Sequence, residues 1–227
     1  MPTPLHLRRP ELVVDDPVGT VTRFFAEDPS SAGPRSYDAY VTSGRSPANR
    51  IVSDDITAIN TTMRARSSHA DWELILARPS LPELAAVQSD WDIFETSTAE
   101  WRRGAVPTKL AALFDVVTGP GIGISRATKV LHIKRPRLIP VCDSYVLRLM
   151  GIPGDNSGSA VALIEHLRSL RAGLRPVLSR LQGDLRRRGC ERTLLRIADA
   201  LIWSSYPDTW LARSRRTAAQ RSLAGRA

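Results

Sequence analysis

The stretch GPGIGIS, from Gly119 to Ser125, and the acid at Asp143 are the residues best placed by type and spacing to do chemistry. Backbone N–H groups at the start of a helix are unpaired donors aimed at one point, and they bind anions. Gly121 and Gly123 carry no Cβ, so a phosphate can approach the chain closely there. Arg126, Lys129, Lys134, Arg135 and Arg137 follow and surround the turn with positive charge suited to a polyanion. Asp143 has two readings. Its carboxylate can cap the helix that SYVLRLMG would form. It can also stabilise a cationic sugar and activate a water for attack.

Two architectures use a glycine-rich turn of this kind. In the dinucleotide fold, FDVVTG (114–119) would be a strand, the turn would hold a pyrophosphate, and LIPVCD (138–143) would be the next strand. Asp143 lies 22 residues after Gly121, near the spacing of a ribose-binding acid. Against it, the third fingerprint position is Ile124, and Pro140 would interrupt a central strand. In the helix–hairpin–helix, TKLAALFDVV (108–117) is the first helix, GPGIGI the hairpin and SRATKVLHI the second helix. Ala127 is small enough to let the two helices approach.

The second arrangement resembles the hairpin and catalytic segment of the helix–hairpin–helix DNA glycosylase superfamily, of the endonuclease III and adenine glycosylase type. Pro120, Gly121, Ile122, Gly123 and Ala127 match the hairpin pattern. Pro136, Val141, Asp143, Ser144 and Val146 match the following segment. The resemblance implies that Asp143 is the catalytic carboxylate. It places Ser125, 18 residues before Asp143, where bifunctional members carry a Schiff-base lysine, and a serine there is similar to the monofunctional members. The resemblance also implies a monovalent cation held by hairpin carbonyls. No other cofactor and no side-chain metal site is expected. Departures from the pattern are Gly119 where a leucine is usual, Cys142 before the acid, and the lack of cluster cysteines. The whole chain also resembles an uncharacterised actinobacterial family with a K-x-L-H-x-K-R-P-x-L-x-P-V-x-D-S core.

The elements that must position these residues read as helices. VGTVTRFFAE (18–27) is a short helix and DPSSAGPRS (28–36) a loop. Ser53 caps a helix with Asp54 and Asp55 in its first turn and Ile56, Ile59 and Met63 on one face. Further helices are expected at 70–77, at 81–88 with Pro82 in the first turn, at 97–103 and at 108–117. Apolar residues from Val161 to Leu185 recur at steps of three and four, with Pro176 expected to kink or divide the run. Leu194, Leu195, Ala198, Leu201 and Ile202 form a last apolar face. No segment alternates with period two. The fold class is therefore all-α, and the resemblance refines it to a two-lobed, glycosylase-like helical bundle.

The 227 residues divide into an extended lead-in (1–16), a single helical domain (17–212) and a basic disordered tail (213–227). The formal charge is +9, and residues 143–227 hold 15 arginines against 7 acids. That skew fits DNA as the partner, although only three of the basic residues are lysines and base composition alone can enrich arginine. Arg213, Arg215 and Arg216 in the tail would add phosphate affinity. Two cysteines, Cys142 and Cys190, exclude a four-cysteine cluster within one chain. With no apolar leader and no uncharged run near the ~18 residues a membrane span needs, a soluble cytoplasmic protein is expected. Of the five tryptophans, Trp203 reads as core, beside Leu201 and Ile202.

Overall fold

The computed structural model describes residues 5–8 and 12–205, and the body they form is helical. The first half comprises α1 (Pro17–Glu27), α2 (Tyr37–Thr42), α3 (Ser53–Thr61), α4 (Glu73–Leu76), α5 (Pro82–Ala86) and α6 (Thr98–Arg103). The second comprises α7 (Val106–Val117), α8 (Ile124–Lys134), α9 (Ser144–Met150), α10 (Ser157–Ser169), α11 (Arg171–Arg187) and α12 (Leu194–Ser205). The lead-in is extended but not isolated. Strands β1 (Leu5–Arg8) and β2 (Leu12–Val14) pair antiparallel, Leu5 opposite Val14. The tail at 213–227 and Trp210 lie outside the described residues. Among those described, no helix is long and apolar enough to cross a membrane.

Local chemistry explains most helix starts. Asp16, Ser36, Ser97 and Asn156 each accept a backbone N–H from the first turn of the helix they precede. Ser53 departs from expectation. It is the first residue of α3, and the Val52 amide is capped by the Asp55 carboxylate at 2.8 Å. Pro176 lies inside α11, and the long apolar run instead divides at Leu170. One missing amide bond is tolerated there because Leu174, Leu178, Leu181 and Leu185 bury the same face. The segment at 70–77 splits into a 3-10 turn, Ala70–Trp72, and α4. The dinucleotide alternative is corrected. Residues 114–117 are helix, not strand, and residues 138–143 join no sheet.

Two helices sit centrally. α8 packs on α3, α7 and α10, with Ala127, Val130 and Leu131 fully buried. α12 packs on α1, α9 and α11. The chain from Pro136 to Asp143 runs between them without regular structure, so its buried backbone groups need side-chain partners. Thr128 Oγ1 bonds both the Cys142 carbonyl (3.2 Å) and amide (3.0 Å). His132 Nδ1 donates to the Ile139 carbonyl at 2.7 Å, and burial lowers its pKa to about 4, which keeps the ring neutral. From the other side, Asp199 Oδ2 accepts the Val141 amide at 3.1 Å. These bonds fix where Asp143 emerges.

Candidate active site

The turn between α7 and α8 is closed by reciprocal backbone bonds between Gly119 and Ile122, at 3.0 and 2.9 Å. Pro120 and Gly121 occupy its centre. Gly121 has φ +79°, the geometry that a Pro-Gly type II turn demands. A Cβ at Gly121 would also stand 2.6 Å from Asp71 Oδ1, so glycine is required twice over. Gly123 precedes α8 in an extended conformation, with no side-chain cap, and a Cβ there meets nothing within 4 Å. The chain beside Gly123 is thus exposed, with open space next to it at the head of α8. Ser125, half-buried in the first turn, does not line the cavity described below.

Several cations expected around the turn are placed inside the protein. α8 is buried over most of its circumference, so its basic side chains must find internal partners. Lys134, with its side chain wholly buried, pairs with Asp55 at 2.5 Å and also contacts Ser46. Arg135, 2% exposed, donates to the carbonyls of Leu84, Val87 and Ala48 and to the Asn49 side chain. Neither is available to a phosphate. Arg126 donates to the carbonyls of Ala65 (2.9 Å), Arg66 (2.7 Å) and Gly121 and lies 3.4 Å from Asp71. It ties the 63–67 loop to the turn between α7 and α8. The Gly121 carbonyl, one candidate for holding a monovalent cation, thus already faces a guanidinium. Arg137 is exposed.

Lys129 takes a different direction. Its Nζ donates to the Met63 carbonyl at 3.0 Å and lines a cavity of about 580 Å³. Burial lowers the Lys129 pKa, and the Asp143 charge in the same cavity opposes that shift. Asp143 stands at the cavity wall as the N-cap of α9, its Oδ1 accepting the Val146 amide at 2.9 Å. The two readings of this acid are therefore compatible: one oxygen caps, and the cavity lies beside the group. Phe24, Tyr145 and Trp203 add aromatic surface, with Phe24 and Trp203 edge to face at 5.8 Å. Trp203 is only partly buried, because it forms cavity wall rather than core.

Sequence reasoning missed two cavity residues. Asp199 is the only acid of α12, is 5% exposed, and has its pKa raised to about 7 by burial. An acid within the apolar run LLRIADALIW was a signal, since an unpaired carboxyl on a buried face is costly and is retained for a reason. Arg64 is exposed at the cavity rim with φ +50°, and nearby Arg66 has φ +51°. No sequence feature marks either as left-handed. Among the described residues, no group of three His, Cys, Asp or Glu side chains is disposed to hold a metal ion.

Residues 17–206 match the model of a family described as "Family of unknown function (DUF6308)". Searches of curated proteins and of solved structures give no match.

Proposed function

For this chain, which belongs to that family of unknown function, we propose a DNA N-glycosylase-like activity in which Asp143 acts on a nucleotide extruded into the cavity. The observation that carries this reading is the cavity of about 580 Å³ beside an N-cap carboxylate whose orientation a backbone amide fixes. α7, the Pro-Gly turn and α8 are read as a helix–hairpin–helix, with the amides beside Gly123 receiving a DNA phosphate. The exposed Arg64, Arg66 and Arg137 take the role that Lys134 and Arg135 cannot.

Asp143 would work electrostatically. As the C1′–N bond lengthens, positive charge develops on the sugar, and a fixed carboxylate nearby stabilises it. The same group orients the attacking water and accepts its proton. Lys129 lines the same cavity and presents its amine to it. The aromatic walls offer stacking surface to an extruded base.

The test is a panel of duplexes with damaged or mismatched bases, with abasic products revealed by alkali. Wild type is expected to cleave at least one lesion, and Asp143→Asn none. Asparagine caps a helix as aspartate does, so the variant stays folded. Equal activity in both proteins removes Asp143 from the mechanism, and no activity on any lesion removes the enzyme claim.

A noncatalytic helix–hairpin–helix DNA-binding module is the second reading, favoured by the open surface at Gly123. It expects salt-sensitive DNA affinity that Asp143→Asn leaves intact and that a bulky residue at Gly123 weakens without unfolding the chain.

A further inference from the structure

The geometry points to Asp199 as the general acid of this cavity, donating a proton to the departing base while Asp143 faces the sugar. The inference rests on the glycosylase-like reading above and names a second catalytic group for it.

Asp199 sits in the most thoroughly buried stretch of α12, where Leu194 through Ile202 are all buried. Its Oδ2 accepts the Val141 amide at 3.1 Å. Among the described residues it forms no ion pair. Arg196, one turn earlier, is engaged by Asp38 at 2.7 Å and by Ser30 at 3.1 Å. Two residues after Val141 comes Asp143, and both carboxyls line the cavity. Holding the Val141 amide needs only an acceptor oxygen. Asparagine would supply one without a buried ionisable group, so an aspartate here offers something more: a proton.

Charged neighbours pull in both directions, and burial decides. Arg196 on the same helix favours ionisation of Asp199, while Asp38 of α2 and Asp143 at the head of α9 oppose it. Tyr37 from α2 also faces it. Across the cavity stand Lys129 of α8, Glu27 and Asp28 at the end of α1, and Arg64 of the rim loop. α11 meets α12 with its buried leucines. Burial outweighs the attractions and leaves Asp199 at about 7, so a large share of it still carries a proton at neutrality, where an ordinary aspartate carries almost none. Two carboxyls in different surroundings, one buried and one at the cavity wall, can divide acid and base duties between them.

The step balances. The C1′–N bond breaks and its electron pair goes to the base, which takes the Asp199 proton. Water forms the new C1′–O bond and gives a proton to Asp143. Solvent then returns one proton to Asp199 and removes one from Asp143. The net reaction is hydrolysis to free base and an abasic sugar.

Single-turnover rates between pH 5.5 and 8.5 test it, using the lesion that the panel identifies and a ring-fluorinated analogue of the same base, which departs with less protonation. Wild type is expected to slow about tenfold per pH unit above roughly 7, as the acid deprotonates. Asp199→Asn keeps the acceptor for Val141. It should lose about 10²–10⁴-fold on the natural base and much less on the fluorinated one, and the falling limb should vanish. An active wild type with an unchanged rate and limb in Asp199→Asn overturns the acid role alone. Equal losses on both bases do the same, since a structural defect is blind to the leaving group. If the variant does not fold, a wild-type rate that stays flat to pH 8.5 overturns it. A wild type that cleaves no lesion overturns this step together with the reading beneath it.

Discussion

Lys134 and Asp199 are both buried ionisable groups on central helices, and they are handled in opposite ways. Lys134 is fully paired: Asp55 Oδ2 holds its ammonium and also accepts the Val52 amide, while Oδ1 accepts from the Tyr40 and Ser46 hydroxyls. Among the described residues Asp199 has one backbone amide and no ion pair, and it lines the cavity. A paired charge deep inside serves the architecture, because losing its partner costs more than the pair contributes. An unpaired carboxyl beside a void shifts its pKa and keeps an open face for a ligand. The same chain thus sorts its buried ionisable groups into scaffold and site.

The largest expected effect breaks the scaffold side. Lys134→Ala strands Asp55 in the interior and should destabilise the fold by about 3–5 kcal/mol, read as a lowered denaturation midpoint. A loss under about 1 kcal/mol would mean that the pair is not the anchor it looks like.

Next comes Asp199→Asn, which should stabilise in a pH-dependent way. The carboxyl pKa is about 7 in the folded protein against an ordinary 3.8. Below pH 4 both states hold the proton, and the group contributes nothing. Between about 4 and 7 the folded state keeps a proton that the unfolded state releases, so wild-type stability falls as pH rises. Above 7 the full penalty applies, at most about 4 kcal/mol. Melting temperatures at pH 4.5 and pH 8 should therefore diverge between wild type and variant only at the higher pH. Parallel curves would show that Asp199 titrates normally.

The smallest effect sharpens the contrast at the rim. Arg64 holds a left-handed backbone that glycine adopts freely, so Arg64→Gly should leave the melting temperature within a degree or two. The log–log salt slope of DNA binding should decrease by about one. A lost fold with an unchanged slope would make Arg64 a structural residue.

Much of this was legible in the sequence where the signal is local. The helix at 97–103 follows from Ser97 and the amide three residues on, and α8 follows from the glycine turn and the apolar spacing behind it. The capping role of Asp143 was legible because the helix it starts follows it directly. Other features depend on contacts distant in sequence. Lys134 and Arg135 look like surface cations until α3 and the 84–87 segment close over them. Asp55 rather than Ser53 caps α3 because its carboxylate is also claimed by Lys134, 79 residues away. Asp199 becomes a site residue only when α12 brings it to Val141, 58 residues earlier. Pairing of the N-terminal strands left no alternating pattern because the hairpin is only three to four residues deep.

The central claim is that a carboxylate at Asp143 faces the anomeric carbon of an extruded sugar. Affinity for a duplex bearing a cationic pyrrolidine in place of the sugar, set against one bearing the neutral tetrahydrofuran analogue, measures this directly. The account predicts that wild type prefers the cationic duplex by at least 10²-fold, as transition-state mimics are preferred, and that Asp143→Asn abolishes the preference. Equal affinity for both duplexes, or a preference that survives Asp143→Asn, would contradict it.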